Sequence, residues 1–282
     1  MVLIAADAQI LRADGDYRGA FECLLSLQRM AAHAAQDSNL SFSLPLMLEG
    51  QAVELIPRML EVELPDEDVL SWLRNRLALD PLPSRWLLRL TRRDFAQTVH
   101  MLRQDRETLK HMRMIVPTMS TETYRARKEA WSDLGDDEVI DLMRQAYARF
   151  LDSVEETLLA DMPYTEKRTA LQSLVRELRR QERNDPAMIW NRHADDILDR
   201  YDILTRRRAT LNMVRTAVEI YLVAARRGQL PECLGDGLPN DPYSDKAFDY
   251  AITPNGFVLR CRAMPGDSRE IPELECGVPG KN

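Results

Sequence analysis

The sequence predicts a mainly α protein: a multi-helix array of stacked α-hairpins, closed by a small C-terminal α+β module containing a β-hairpin. Three observations carry this. Apolar residues recur at three-four spacing through residues 1–228. The 282-residue chain then changes composition, with five glycines and eight prolines up to residue 228 and six and seven in the short remainder. The tail places two alternating runs around Thr-Pro-Asn-Gly at 253–256. The division that follows is a helical domain over 1–202 and, over 203–282, a long helix with the hairpin module and a tail.

The helices follow in chain order. Tyr17, Ala20, Phe21, Leu24, Leu27 and Ala31 share one face. The stretch GDYRGAFECLLSLQRMA resembles one tetratricopeptide-like hairpin, but no second copy recurs at a period of about 34 residues. The reading is a generic helical hairpin, with Gly15 making the turn and Ala20 the close contact. Leu48, Ala52, Leu55, Ile56 and Met59 form the next stripe, which Pro57 is expected to kink or break. Asp66 caps a short helix through Leu77, ended by Pro81 and Pro83, and a long segment runs from Ser84 to Val116. After Gly135, with Asp136 as cap, come Val139, Met143, Ala146, Tyr147, Phe150, Val154 and Leu158. Leu171, Leu174, Val175 and Leu178 follow Pro163. The last helix is predicted from Ile203 to Arg227, with Leu211, Val214, Val218, Tyr221, Leu222 and Ala225 inward and Gly228 as its stop.

In the tail, Pro254 presets a turn, and Asn255 with Gly256 tolerates the left-handed geometry that closes a short hairpin. Phe248, Tyr250 and Ile252 alternate before it, Phe257 and Leu259 after it. An isolated hairpin is barely stable in water, so its aromatic face is expected on the preceding helix, with Phe248, Tyr250 and Phe257 against Val218 and Tyr221. Asp241 before Pro242 favours an extended or turn conformation, and its carboxylate can accept bonds from the amides that follow. Tyr243 and Tyr250 offer apolar bodies with polar tips, expected to bury at the helix junction.

The segments AVEIYLVAARRGQLPECL and LPNDPYSDKAFDYAITPNGFVL resemble the end of the globular region of type II secretion major pseudopilins. The shared positions are Ala217, Tyr221, Gly228, Pro231, Pro239, Asp241, Pro242, Tyr243, Phe248, Tyr250, Gly256 and Phe257, and the likeness covers about 50 residues. As a whole the chain resembles uncharacterised helical proteins of bacterial envelopes with a similar ending. Pseudopilins begin with a cleaved leader and a long apolar spine, and this sequence shows neither. Their Asp-Pro is usually followed by Trp-Gly, where this chain has Tyr243 and Ser244. Many carry a calcium-binding acidic loop. Asp241, Asp245 and Asp249 supply oxygens of the kind calcium takes, with turn-forming and helix-capping aspartates as the alternative.

The rest of the chain is searched for chemistry. Cys233, Cys261 and Cys276 fall in the last 50 residues. They allow one disulfide in an oxidising compartment, free thiols being the alternative; Cys23 stands alone. No CxxC or HExxH accompanies His33, His100, His111 or His193, so no metal site is expected. His193, Asp196 and Asp199 are explained by an acid-rich helix start. The arginines at 89–93, 176–183 and 206–208 are interspersed with acids and read as salt-bridged helix faces. No P-loop, dinucleotide glycine motif or nucleophile elbow is present, and no cofactor is expected.

A net charge of −7 argues against a nucleic-acid footprint, and no run approaches the apolar length of a membrane span. The opening MVLIAADAQILRADGD does not read as a secretory signal. The expectation is therefore a noncatalytic protein-interaction or scaffold protein with a protein partner. It belongs to a bacterial envelope or periplasm if an export segment precedes these residues, and to the cytoplasm otherwise. The alternatives are an enzyme with a site assembled from distant residues in a helical cleft, and a small-ligand sensor.

Overall fold

The computed structural model describes residues 2–36, 42–77, 84–107, 109–110, 129, 133–184, 191–262 and 272–278. Eight helices are bounded within them: α1 Val2–Ala13, α2 Tyr17–Gln36, α3 Ser43–Val62, α4 Glu67–Arg76, α5 Ser84–Gln104, α6 Asp136–Leu159, α7 Tyr164–Asn184 and α8 Asn191–Arg227. Strands β1 Asp249–Thr253, β2 Gly256–Arg260 and β3 Glu273–Gly277 follow. None of the described helices is long and apolar enough to cross a membrane. The chain forms two compact units. One comprises residues 1–83, 163–165 and 203–282, the other residues 84–162 and 166–202.

In the first unit, α1 and α2 form a hairpin closed by Gly15, whose φ of +83° is the left-handed conformation a glycine takes at least cost. Ala20, Phe21, Leu24, Leu27 and Ala31 of α2 are all buried where α2 lies along α3. Helix α3 runs on through the buried Pro57, so the expected break does not occur. Surrounding packing outweighs the one lost hydrogen bond. Helix α4 starts after Asp66 with Glu67 and Asp68 in its first turn, where acids complement the dipole. It is tied to α8 by Arg226–Glu67 at 2.7 Å, by Arg74–Glu219 at 3.6 Å and by Arg215 Nε donating to the Leu77 carbonyl.

Helix α8 begins at Asn191, twelve residues before the expected Ile203. The acid-rich stretch read as a helix start is helix interior. Leu211, Val214, Val218, Tyr221 and Leu222 are buried as predicted, but Ala225 is exposed and Ala224 takes its place in the core. Gly228, at φ +70°, stops the helix with its amide on the Ala224 carbonyl. The sheet beyond has the order β1-β2-β3, antiparallel throughout, so the predicted hairpin is two thirds of a three-stranded sheet.

In the second unit, α5 and α6 run antiparallel. Arg92 pairs with Glu155, Arg103 with Asp141 and Arg106 with Asp137, one series ascending while the other descends. Val139, Met143, Ala146, Tyr147, Phe150, Val154 and Leu158 are all buried. Phe95 stacks on Tyr147 with centroids 4.0 Å apart. Asp136 is the first helical residue of α6, not its cap; Gly135 is the cap, its amide donating to Glu138 Oε2 at 2.7 Å. The segment expected to be helical from Ser84 to Val116 is interrupted at Asp105, which accepts from the Glu107 amide. Pro81, Pro83 and Val116 lie outside the described residues.

Candidate functional site

The C-terminal module is organised by one carboxylate. Asp241 is fully buried. Its Oδ1 accepts from the Tyr243 amide at 3.0 Å, while Oδ2 accepts from Ser244 Oγ at 2.8 Å and from the Arg262 amide at 3.0 Å. The Cys261 thiol hydrogen-bonds the same group. Asp241 thus fastens the turn at 241–245 to the end of β2. The turn itself requires Asp245 at φ 54°, held by its amide on the Asp241 carbonyl and by Asn240 Nδ2 on its own carbonyl.

This arrangement shows how two of the three aspartates named for calcium are engaged. Both oxygens of Asp241 face internal donors, Asp249 is paired with Arg262 at 3.1 Å, and no metal-ligating cluster forms among the described residues. Asp241 and Asp245 are turn-forming residues, as the alternative reading has it.

The aromatic expectation is met at the helix by Phe257 against Tyr221. Phe248 and Phe257 are buried, the Tyr221 and Phe257 rings meet edge-on at 5.3 Å, and Tyr250 lies 6.0 Å from Phe257. Tyr221 donates to the Gly277 carbonyl at 2.6 Å, and Tyr250, half-buried, donates to the Pro231 carbonyl at 2.9 Å. Tyr243 is buried edge-on against Tyr164, 4.9 Å away. Pro242 precedes it, half-buried. Ile252 is exposed.

The turn at 253–256 closes differently from expectation. Neither Asn255 nor Gly256 has a positive φ, and Pro254 and Asn255 form its two-residue loop. Gly256 matters for another reason. A Cβ there would lie 1.9 Å from the Cys276 carbonyl oxygen, so the glycine permits β2 and β3 to approach.

In the structure Cys23, Cys233, Cys261 and Cys276 are free thiols. Cys276 stands opposite Phe257, and the Cys261 amide bonds the Pro272 carbonyl. The Cα atoms of the two cysteines are therefore about 13 Å apart along the sheet, beyond the roughly 7 Å between Cα atoms that a disulfide spans. Burial pushes the Cys261 thiol well up, and Asp241 adds to this. Burial, then the charge of Glu61, raises Cys276 to about 12. Neither is an accessible nucleophile; Cys233 is exposed.

Three features escaped sequence reasoning. The first is α1, on which Ala8 alone of the described side chains is completely buried, while Leu3 (77% exposed), Ala6, Ile10 (59%) and Ala13 form an outward apolar stripe. Beside it a groove of about 390 Å³ opens between Ala5, Ala6 and Gln9 of α1 and Gln51, Glu54 and Arg58 of α3. Gln51 Oε1 is buried there with no hydrogen-bond donor among the described residues. The three-four spacing of 3, 6, 10 and 13 was readable, but which side faces outward was not. The second is a polar cluster in the second unit: Asp94 accepts from Arg200 at 2.9 Å and pairs with Arg93, and Asp202 takes Arg168 bidentately. The Tyr147 hydroxyl is buried near Asp94 and Arg200 with no partner among the described residues, and burial holds its phenol well above the ordinary value. The third is Trp72, over which Arg18 and Arg76 both lie.

Of the remaining sequence candidates, His33 and His100 are exposed on separate helices, and His111 and the His193 side chain lie outside the described residues. Arg180 pairs with Glu177 three residues away, as the salt-bridged reading predicts. No protein-family model, curated protein or solved structure matches the chain.

Proposed function

We propose that this protein is a noncatalytic docking protein that engages a helical partner protein through α1 and the adjoining α1–α3 groove. The observation that carries the reading is the outward apolar stripe Leu3, Ala6, Ile10 and Ala13, set beside a groove whose floor holds an unsatisfied acceptor, Gln51 Oε1. A helix that leaves Leu3 and Ile10 in water has not buried all of its apolar surface within its own fold, and contiguous exposed apolar surface marks interaction sites. The stripe keeps helical spacing and so suits the apolar face of a partner helix. Placement in a bacterial envelope belongs to the same proposal and rests on the pseudopilin-like ending at residues 211–260.

The test is a photo-crosslinking amino acid at position 10, in cells that naturally make the chain, with a control at the exposed Ser173 of α7. A single discrete heteroadduct is expected from position 10 and none from position 173. Leu3→Asp should abolish it while leaving the circular dichroism spectrum unchanged. The proposal fails if position 10 gives no discrete adduct, or if the adduct survives Leu3→Asp.

A further inference from the structure

Trp72 sits half-buried on α4 with two guanidinium groups over its ring. Arg18, from α2, has its Cζ 5.2 Å from the ring centroid, and Arg76, one turn further along α4, lies at 5.8 Å. Both arginines are exposed. The two centroid distances laid end to end put the cations no more than about 11 Å apart.

Four of the neighbouring acids are engaged elsewhere. Glu22 pairs with Arg29 at 2.7 Å, Glu63 accepts from Tyr17 at 2.7 Å, Glu67 takes Arg226, and Asp16 accepts from the Gly19 amide. Arg74, two residues before Arg76, is held by Glu219. Among the described residues Arg18 and Arg76 have no carboxylate partner, and the indole face satisfies none of their N–H groups.

We propose that the Arg18–Trp72–Arg76 stack is a docking point for an acidic segment of a partner protein. Two carboxylate side chains accept from the outer edges of the two guanidiniums, while their aliphatic stems lie against the indole. A guanidinium presents its donors in a planar fork that matches a carboxylate. Stacking on the ring fixes the plane of that fork before the ligand arrives, so less side-chain freedom is lost on binding. Tryptophan and arginine are also the side chains that dominate binding energy at protein interfaces. The spacing admits carboxylates two residues apart on an extended strand, about 7 Å, or three to four apart on a helix, about 5–6 Å. Because the chain carries a net charge of −7, the attraction is local rather than a property of the whole surface.

The inference rests on reading the chain as a protein-binding molecule. It uses α2 and α4, however, and not the outward stripe of α1. The experiment is anisotropy titration of a fluorescein-labelled hexaglutamate peptide with the full chain. Saturable binding is expected, weakened about tenfold or more by Arg18→Gln with Arg76→Gln and by Trp72→Leu. Raising salt from about 20 to about 200 mM is expected to weaken it as well. The double Arg→Lys variant, which keeps charge but loses the fork, should bind with intermediate affinity. Leu3→Asp should leave hexaglutamate binding unchanged, so failure here and failure of the α1 surface are told apart. The two glutamine substitutions are at exposed positions, and an unchanged circular dichroism melt confirms that the fold is kept. Absence of saturable hexaglutamate binding overturns the proposal, as does equal affinity in the wild type and the Arg→Gln double variant, or equal binding of a hexalysine peptide.

Discussion

Replacing Asp241 by Asn removes one charge and almost no volume, which makes it a direct test of the carboxylate as the fastener of the C-terminal module. The wild-type group accepts from three donors besides the Cys261 thiol: the Tyr243 amide, Ser244 Oγ and the Arg262 amide. A carboxamide has one acceptor oxygen and one NH2. If its oxygen faces Tyr243, its NH2 faces the Arg262 amide; if it flips, the NH2 faces Tyr243. Either orientation sets a donor against a donor in a site with no solvent access, because Asp241 is 0% exposed. Ser244 can rotate its hydroxyl to accept, so it adds little. The loss is one hydrogen bond to a charged group, about 1.5–3 kcal/mol, and one orphaned buried N–H, about 1–3 kcal/mol. The sum is about 2.5–6 kcal/mol of local stability, and a value near its low end, about 3 kcal/mol, is equivalent to about 150-fold in an opening equilibrium. The Cys261 thiol reports on that opening, since it is buried against the same carboxylate. Alkylation at Cys261, followed by peptide mass spectrometry under native conditions, is expected to accelerate about 100-fold in Asp241→Asn. An acceleration below about threefold would refute the argument that Asp241 fastens the turn to β2.

Two further outcomes follow from the sheet. Gly256→Ala puts a methyl group 1.9 Å from the backbone oxygen of Cys276, which cannot swing aside as a side chain could. The β2–β3 pairing must shift, at a cost of about 3 kcal/mol, read as a lower urea midpoint and faster amide exchange across β3; wild-type exchange at Glu275 and Gly277 would contradict it. The Cys276 thiol, raised from 9.0 to about 12, gives stability a defined alkaline slope. Below the ordinary thiol value both folded and unfolded chains hold the proton; above it only the folded chain does. This group's contribution is therefore complete below about pH 9 and falls by about 1.4 kcal/mol per pH unit until about pH 12. Urea unfolding of Cys276→Ala and wild type across that range should show curves whose difference grows with falling pH relative to pH 12, and a pH-independent difference would refute it.

Most of the helices were legible because an α-helix is a local object. Apolar residues spaced three and four apart must share a face, and the seven positions predicted for α6 are all buried. Gly15 and Gly228 were legible because a left-handed turn selects glycine. The sequence was less informative where a local signal met a long-range contact. Proline within α3 reads as a kink or a break, yet the helix continues through the buried Pro57 without a break. Asn255 and Gly256 read as a left-handed pair, yet the glycine is needed for a backbone that arrives from residue 276. Asp241 read as a turn former, and is one; that it also accepts from Arg262, 21 residues on, depended on how the sheet folds back.

By itself, then, the order of residues determined a helical protein with a β-type close and the aromatic seam between Tyr221 and Phe257, since these follow from periodicity and from the need of a short hairpin for an apolar support. Only the tertiary structure decided that residues 1–83 and 203–282 share one compact unit, that a third strand completes the sheet, and that Cys261 and Cys276 stand too far apart to bridge. It also decided which apolar stripe α1 leaves uncovered and which two arginines meet over Trp72. The physical reason is the same in each case. A side chain's chemistry is set by its type, but its partner is set by segments distant in the chain, and no spacing rule within one helix or strand records where those segments return.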